Sequence, residues 1–138
     1  METIANMSAR SLQYYVIGKH WASDLEFFRI ETAFLHRLVD DYFVRLLDEI
    51  NVTQLSNAGM KLYQLEKDEA RVSHMLSAQL KQLELMAEDK IPENTEELAG
   101  SQMRLENLVT TVMLEYQSVK KEIFELTESV MKNSKAVV

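Results

Sequence analysis

The sequence predicts an all-α fold, an up-down-up antiparallel bundle of three long, coiled-coil-like helices, from three observations. The chain of 138 residues holds only three Gly and one Pro, too few turn residues for a β-rich fold of this length. Two short clusters of helix-breaking or capping residues divide it into three segments of similar length. Each segment carries an apolar stripe that steps alternately by three and four residues.

The first helix is expected over about 9–50. Ile17, Trp21, Leu25, Phe28, Leu35, Val39, Tyr42 and Leu46 form its stripe. Phe27, Phe34 and Leu38 widen the apolar arc to about half the circumference at ~100° per residue. A helix with that much apolar surface contacts both neighbours or a second chain. Asn51-Val52-Thr53, followed by Ser56-Asn57, reads as the first turn, because short polar side chains compete for backbone hydrogen bonds.

The second helix is expected over about 54–90, with the seam Leu55, Ala58, Leu62, Leu65, Glu69, Val72, Leu76, Gln79, Leu83, Met86. Glu69 and Gln79 are its two polar interruptions. Pro92 lacks an N–H and drives Ile91 out of the helical region, which ends this helix. Asn94 with Glu97 forms a variant capping box for the third helix, and Glu96 and Glu97 suit the positive end of its dipole. The third helix is expected over about 95–133, with the stripe Leu105, Val109, Val112, Tyr116, Val119, Ile123, Leu126, Val130. The tail from Asn133 to Val138 is expected to fray. Each segment would span about 55–60 Å, and the whole chain reads as a single helical domain.

Composition narrows function. The net charge of −7 disfavours phosphate-backbone and anionic-membrane binding, which need clustered Lys and Arg, so neither nucleic acid nor membrane is an expected partner. There is no Cys, which removes disulfide and thiolate chemistry. Residues 1–12 lack the apolar core of a signal peptide, and no stretch reaches the ~18 apolar residues of a membrane span. A cytoplasmic location is the default expectation. No Gly-x-Ser-x-Gly, Gly-rich phosphate loop or His-Glu-x-x-His occurs, so nucleophilic catalysis is not expected and no catalytic residues are assigned; an enzyme using carboxylate acid–base chemistry is the third reading, behind the two given below.

Three carboxylates interrupt the seams. Projection places Asp24 among Trp21, Phe28 and Leu35, places Glu31 among Phe27, Phe28, Leu35 and Leu38, and places Glu69 among Leu65, Val72 and Leu76. A buried carboxylate must find a partner or raise its pKa. Antiparallel levels, at ~1.5 Å per residue, set Glu69 beside Glu115 and Glu31 about 6 Å away. One reading is a divalent-metal site from Glu31, Glu69 and Glu115, with Asp24 and His20. Against it, di-iron bundles use paired Glu-x-x-His motifs, and none is present. The preferred reading is interhelical ion pairs, Asp24 with Arg104 and Glu31 with Arg71, which fix register. No cofactor is expected beyond that metal alternative.

The run Trp21-x-x-Asp24-Leu25-x-x-Phe28-x-x-Glu31-x-x-x-Leu35-x-x-Leu38 resembles the first helix of small uncharacterised helical-bundle proteins from bacteria. The resemblance covers this helix alone and implies the fold without an activity. Phe27 and Phe34, with Tyr15 outside the apolar arc and Met103 and Met113 off the third stripe, are candidate interface residues. The functional expectation is therefore a helical interaction or assembly protein binding a protein partner or itself, a homodimer burying Phe27 and Phe34. The alternative is a metal- or small-ligand-binding bundle with core carboxylates.

Overall fold

A computed structural model describes residues 7–43 and 49–137. These residues form three α-helices, with no strand among them: α1 Ala9–Phe43, α2 Glu49–Ala87 and α3 Thr95–Val137. All three pack against one another as a three-helix bundle. Their contacts group into two units, Met1–Phe27 with Glu69–Thr111 and Phe28–Asp68 with Val112–Val138.

In the first unit the buried core includes Leu25, Val72, Leu76, Leu98, Leu105 and Val109. Leu83, Met86 and Leu98 make a cluster against which Met7, Tyr14, Tyr15 and Ile91 pack. Gly18 is buried in α1. A Cβ there would lie 2.8 Å from Leu80 Cδ2, so any larger residue would make the Leu80 side chain shift. In the second unit Phe28, Leu35, Leu55, Leu62, Leu65, Val112, Tyr116, Val119 and Ile123 are buried. Every seam position read from the second helix, Leu55 through Met86, is buried.

The helix ends are defined chemically. Ser8 caps α1: its side-chain oxygen accepts from Ser11 N at 3.1 Å and its carbonyl accepts from Leu12 N at 2.9 Å. Ser8 and Ser11 hydroxyls both donate to Glu93 Oε1. That carboxylate sits at the positive end of the α1 dipole, and the two donors hold its pKa below the ordinary carboxylate value. Asn94 caps α3 as expected. Its Oδ1 accepts from Glu97 N at 3.1 Å, and its amide donates to Glu97 Oε2 at 3.2 Å.

Three boundaries differ from expectation. Asn51-Val52-Thr53 is not the first turn but lies inside α2, which has begun by Glu49. Polar residues of this kind are as compatible with the opening turns of a helix as with a loop. At the other end α2 stops at Ala87, not near 90. Asp89 takes a left-handed conformation, φ 59°, and Lys90 N donates to Leu85 O while Asp89 N donates to Met86 O. That is a Schellman closure, which ends the helix before Pro92 can. Finally, α3 runs to Val137 through the expected tail, in which no Gly or Pro breaks the helix. Leu46, part of the expected first stripe, lies outside the described residues.

Gly100 is exposed on α3, and a Cβ added there meets nothing within 4 Å. Gly100→Ala should therefore raise the unfolding free energy by about 0.8–1 kcal/mol, the helix-propensity difference. Urea unfolding checks this, and an unchanged or lowered midpoint would contradict it.

Candidate functional site

Glu31, singled out in the sequence, lies in the second unit together with α3 residues Tyr116 and Lys120. Tyr116 occupies the α3 stripe and is 3% exposed. Lys120, four residues on, falls on the same helix face. Tyr116 OH donates to Glu31 Oε1 at 2.8 Å, and Lys120 Nζ donates to the same oxygen at 2.8 Å. Phe28 meets the Tyr116 ring edge to face, 4.9 Å between centroids at 71°.

The electrostatics follow from these contacts. The Lys120 hydrogen bond holds the Glu31 carboxyl below its ordinary value of 4.5, partial burial opposes it, and Tyr116 and the Lys120 charge assist. Burial pushes the Tyr116 hydroxyl well above its ordinary range, and the adjacent Glu31 carboxylate adds to that. Tyr116 thus stays a donor and Glu31 an acceptor at neutral pH. Because Glu31 is depressed in the folded chain, its contribution is complete above pH 4.5 and is lost as pH falls through the lower folded value. Glu31→Gln should cost about 1 kcal/mol at pH 7, and the gap to wild type should close as pH falls below 4.5 in urea unfolding. A gap constant across that range would contradict the assignment.

The expected partner of Glu31 was Arg71, and the structure supplies Lys120 instead. Antiparallel level matching weighed α2 across from α1, whereas the engaging groups come from α3, which runs parallel to α1. Arg71 is exposed. Asp24, placed in the seam by projection, is exposed, as are Arg104 and His20. The buried positions of α1 include Leu25, Phe28, Thr32, Leu35 and Val39, an arc that the exposed Phe27 and Phe34 do not share, so its centre lies away from Asp24. The Thr32 hydroxyl donates to Arg29 O at 3.1 Å. Glu69 is buried, as its seam position implied, and is engaged within the structure. Glu115 is exposed. Among the described residues no group of three or more His, Asp or Glu is placed to hold a metal ion.

Among the interface candidates, Phe27, Phe34 and Met103 are exposed, and Met113 is half-buried. Tyr15 is not outside the arc. It packs on the Leu83–Met86–Leu98 cluster, with its hydroxyl 3.4 Å from Glu84 Oε1. Ile30 was overlooked and is as exposed as Phe27, 63% against 62%. It lies three residues after Phe27 and four before Phe34, so helical spacing alone aligns the three. His36 is half-buried, with Nε2 2.6 Å from Glu66 Oε1. Gln79 donates to Gln102 Oε1 at 2.9 Å, and both are buried. Gln102 was legible by stepping the third stripe back from Leu105 by three.

A groove of about 290 Å³ in the second unit has Leu65 and Val119 as its apolar base, rimmed by Lys61, Gln64, Asp68, Glu115 and Ser118. Its rim is already engaged: Lys61 pairs with Glu122 at 3.3 Å, and Asp68 accepts from Gln64 at 3.1 Å. No helix among the described residues is long and apolar enough to cross a membrane. Comparison with protein-family models, curated proteins and solved structures found no match.

Proposed function

We propose that this chain is a non-enzymatic helical interaction and assembly protein, acting in the cytoplasm, whose docking surface is the outward face of α1. One observation carries the reading: Phe27, Ile30 and Phe34 are aligned along one helix, and each is more than half exposed. Single exposed apolar residues are ordinary, but three large ones in register form a patch of the kind that marks interaction sites. The Glu31–Tyr116–Lys120 cluster supports a structural role rather than a chemical one, since the carboxylate oxygen already takes two donors.

A photo-cross-linking amino acid at position 27 or 34 tests the reading, in purified protein and in cells expressing it. The expected result is a discrete polypeptide adduct absent when the probe sits at exposed Glu96. Adducts no stronger than at that control would sink it. A second reading, a carboxylate-lined metal or small-ligand site, has the burial of Glu69 in its favour. Elemental analysis of protein purified without chelator tests it, and no bound metal together with no thermal shift on adding Fe, Mn or Zn would remove it.

A further inference from the structure

The geometry points to a second copy of this chain as the occupant of the α1 face, packed antiparallel so that Phe27 of each copy lies over Ser23 of the other. This rests on the reading of that face as a docking surface and names its partner.

Val16, His20, Ser23, Phe27, Ile30 and Phe34 are all exposed and step by four, three, four, three and four. They form a second heptad seam on α1, turned away from the buried Leu25, Phe28 and Leu35. Residue size is unevenly distributed along it: the small or polar members come first, the large apolar ones last. A parallel pair would stack Phe27 on Phe27 and Phe34 on Phe34, and would face Ser23 with Ser23 and His20 with His20. An antiparallel pair lays the large half of one copy on the small half of the other. Phe27 then meets Ser23, Phe34 meets Val16 and Ile30 meets His20, each occurring twice by symmetry. Sliding this arrangement by one heptad toward the C-termini sets His20 against Arg37 and Val16 against Asp41, which places charged groups in the seam and is disfavoured; sliding it the other way sets Ile30 against Gln13 and Phe34 against Ala9 and gives up the Phe34–Val16 apolar pair.

The area suits such a pair. The exposed parts of Phe27, Ile30, Phe34 and Val16 amount to about 400–450 Å². At the roughly 60% apolar share of an interface this implies up to about 750 Å² per copy, close to the ~800 Å² per partner of a stable complex.

The chain has no Cys, so single-cysteine variants report pairing without background. Sedimentation equilibrium of the wild type should give a dimer. Phe27→Asp should weaken it by at least about tenfold, equivalent to about 1.4 kcal/mol, with an unchanged melting temperature in dilute solution. An equimolar mixture of Ser23→Cys and Phe27→Cys chains, oxidised mildly, should yield the mixed disulfide ahead of either homodisulfide. Homodisulfides in excess overturn the antiparallel register. A wild-type monomer at millimolar concentration overturns the second copy as occupant, while an adduct to another polypeptide from position 27 in cells would leave the docking face standing.

Discussion

Phe28→Ala is expected to cost about 3–5 kcal/mol of unfolding free energy, the usual range for emptying a buried aromatic site. Phe28 is 2% exposed, and its removal opens a void that its close-packed neighbours can fill only in part. It also takes away the edge-to-face contact with Tyr116, worth about 0.5–1.5 kcal/mol beyond buried area. Tyr116 is the residue whose hydroxyl reaches Glu31, so loosening its ring also loosens that hydrogen bond. Against a typical total of about 5–15 kcal/mol, the variant should be partly unfolded at mild denaturant concentrations. The neighbouring Phe27 is the internal control. It is 62% exposed, and Phe27→Ala should stay within about 0.5 kcal/mol of wild type in dilute solution. Urea unfolding of the two variants side by side is decisive: equal losses would mean that α1 is rotated from the orientation described.

The second large effect changes sign with the number of substitutions. Gln79 and Gln102 form a buried amide pair in the first unit. Gln102 Nε2 has no hydrogen-bond partner among the described residues. Gln79→Leu alone removes the one acceptor–donor contact and strands the whole Gln102 amide, at a cost of about 1–3 kcal/mol. Gln79→Leu combined with Gln102→Leu removes both buried amides and fills similar volume with hydrocarbon. The double variant should be more stable than wild type, by on the order of 1–2 kcal/mol. Thermal unfolding of the three proteins gives the order double, wild type, single. A double variant less stable than either would show that the amides hold a network beyond each other. Loss of sharp near-ultraviolet dichroism in the double variant would mark the price in uniqueness, since a buried polar pair can fix helix register.

The bundle was legible because its seams are long and regular. α2 exposes the logic best: all ten positions of a run stepping by three and four are buried, Glu69 and Gln79 included. The α3 cap was legible for a different reason, since Asn94 and Glu97 are local chemistry confined to four residues. What escaped were features that depend on another helix. Glu31 was found as an anomaly, but its partner was not, because Lys120 is reached only through the parallel α1–α3 contact. Asp24 falls outside the core because Phe27 and Phe34, which widened the expected arc toward it, are exposed. The Ser8–Ser11–Glu93 contact joins residues more than eighty positions apart, and no local pattern announces it. Ile30 belongs to a third group. Its spacing from Phe27 and Phe34 was visible all along, but an apolar residue is assigned to the core by default until a structure reports it exposed.

The segment between α2 and α3 has a consequence for the order of folding. Its Schellman closure at Asp89, its Pro92 and its Asn94 cap are satisfied almost wholly by neighbours in sequence. Closing so short a connection takes little loop entropy. The α2–α3 hairpin can therefore nucleate on its own, whereas α1 must locate Glu93 across most of the chain before Ser8 and Ser11 can bind it. Contacts of that sequence separation form late when local ones are available. The start of α1 should accordingly be last to dock and first to release during refolding.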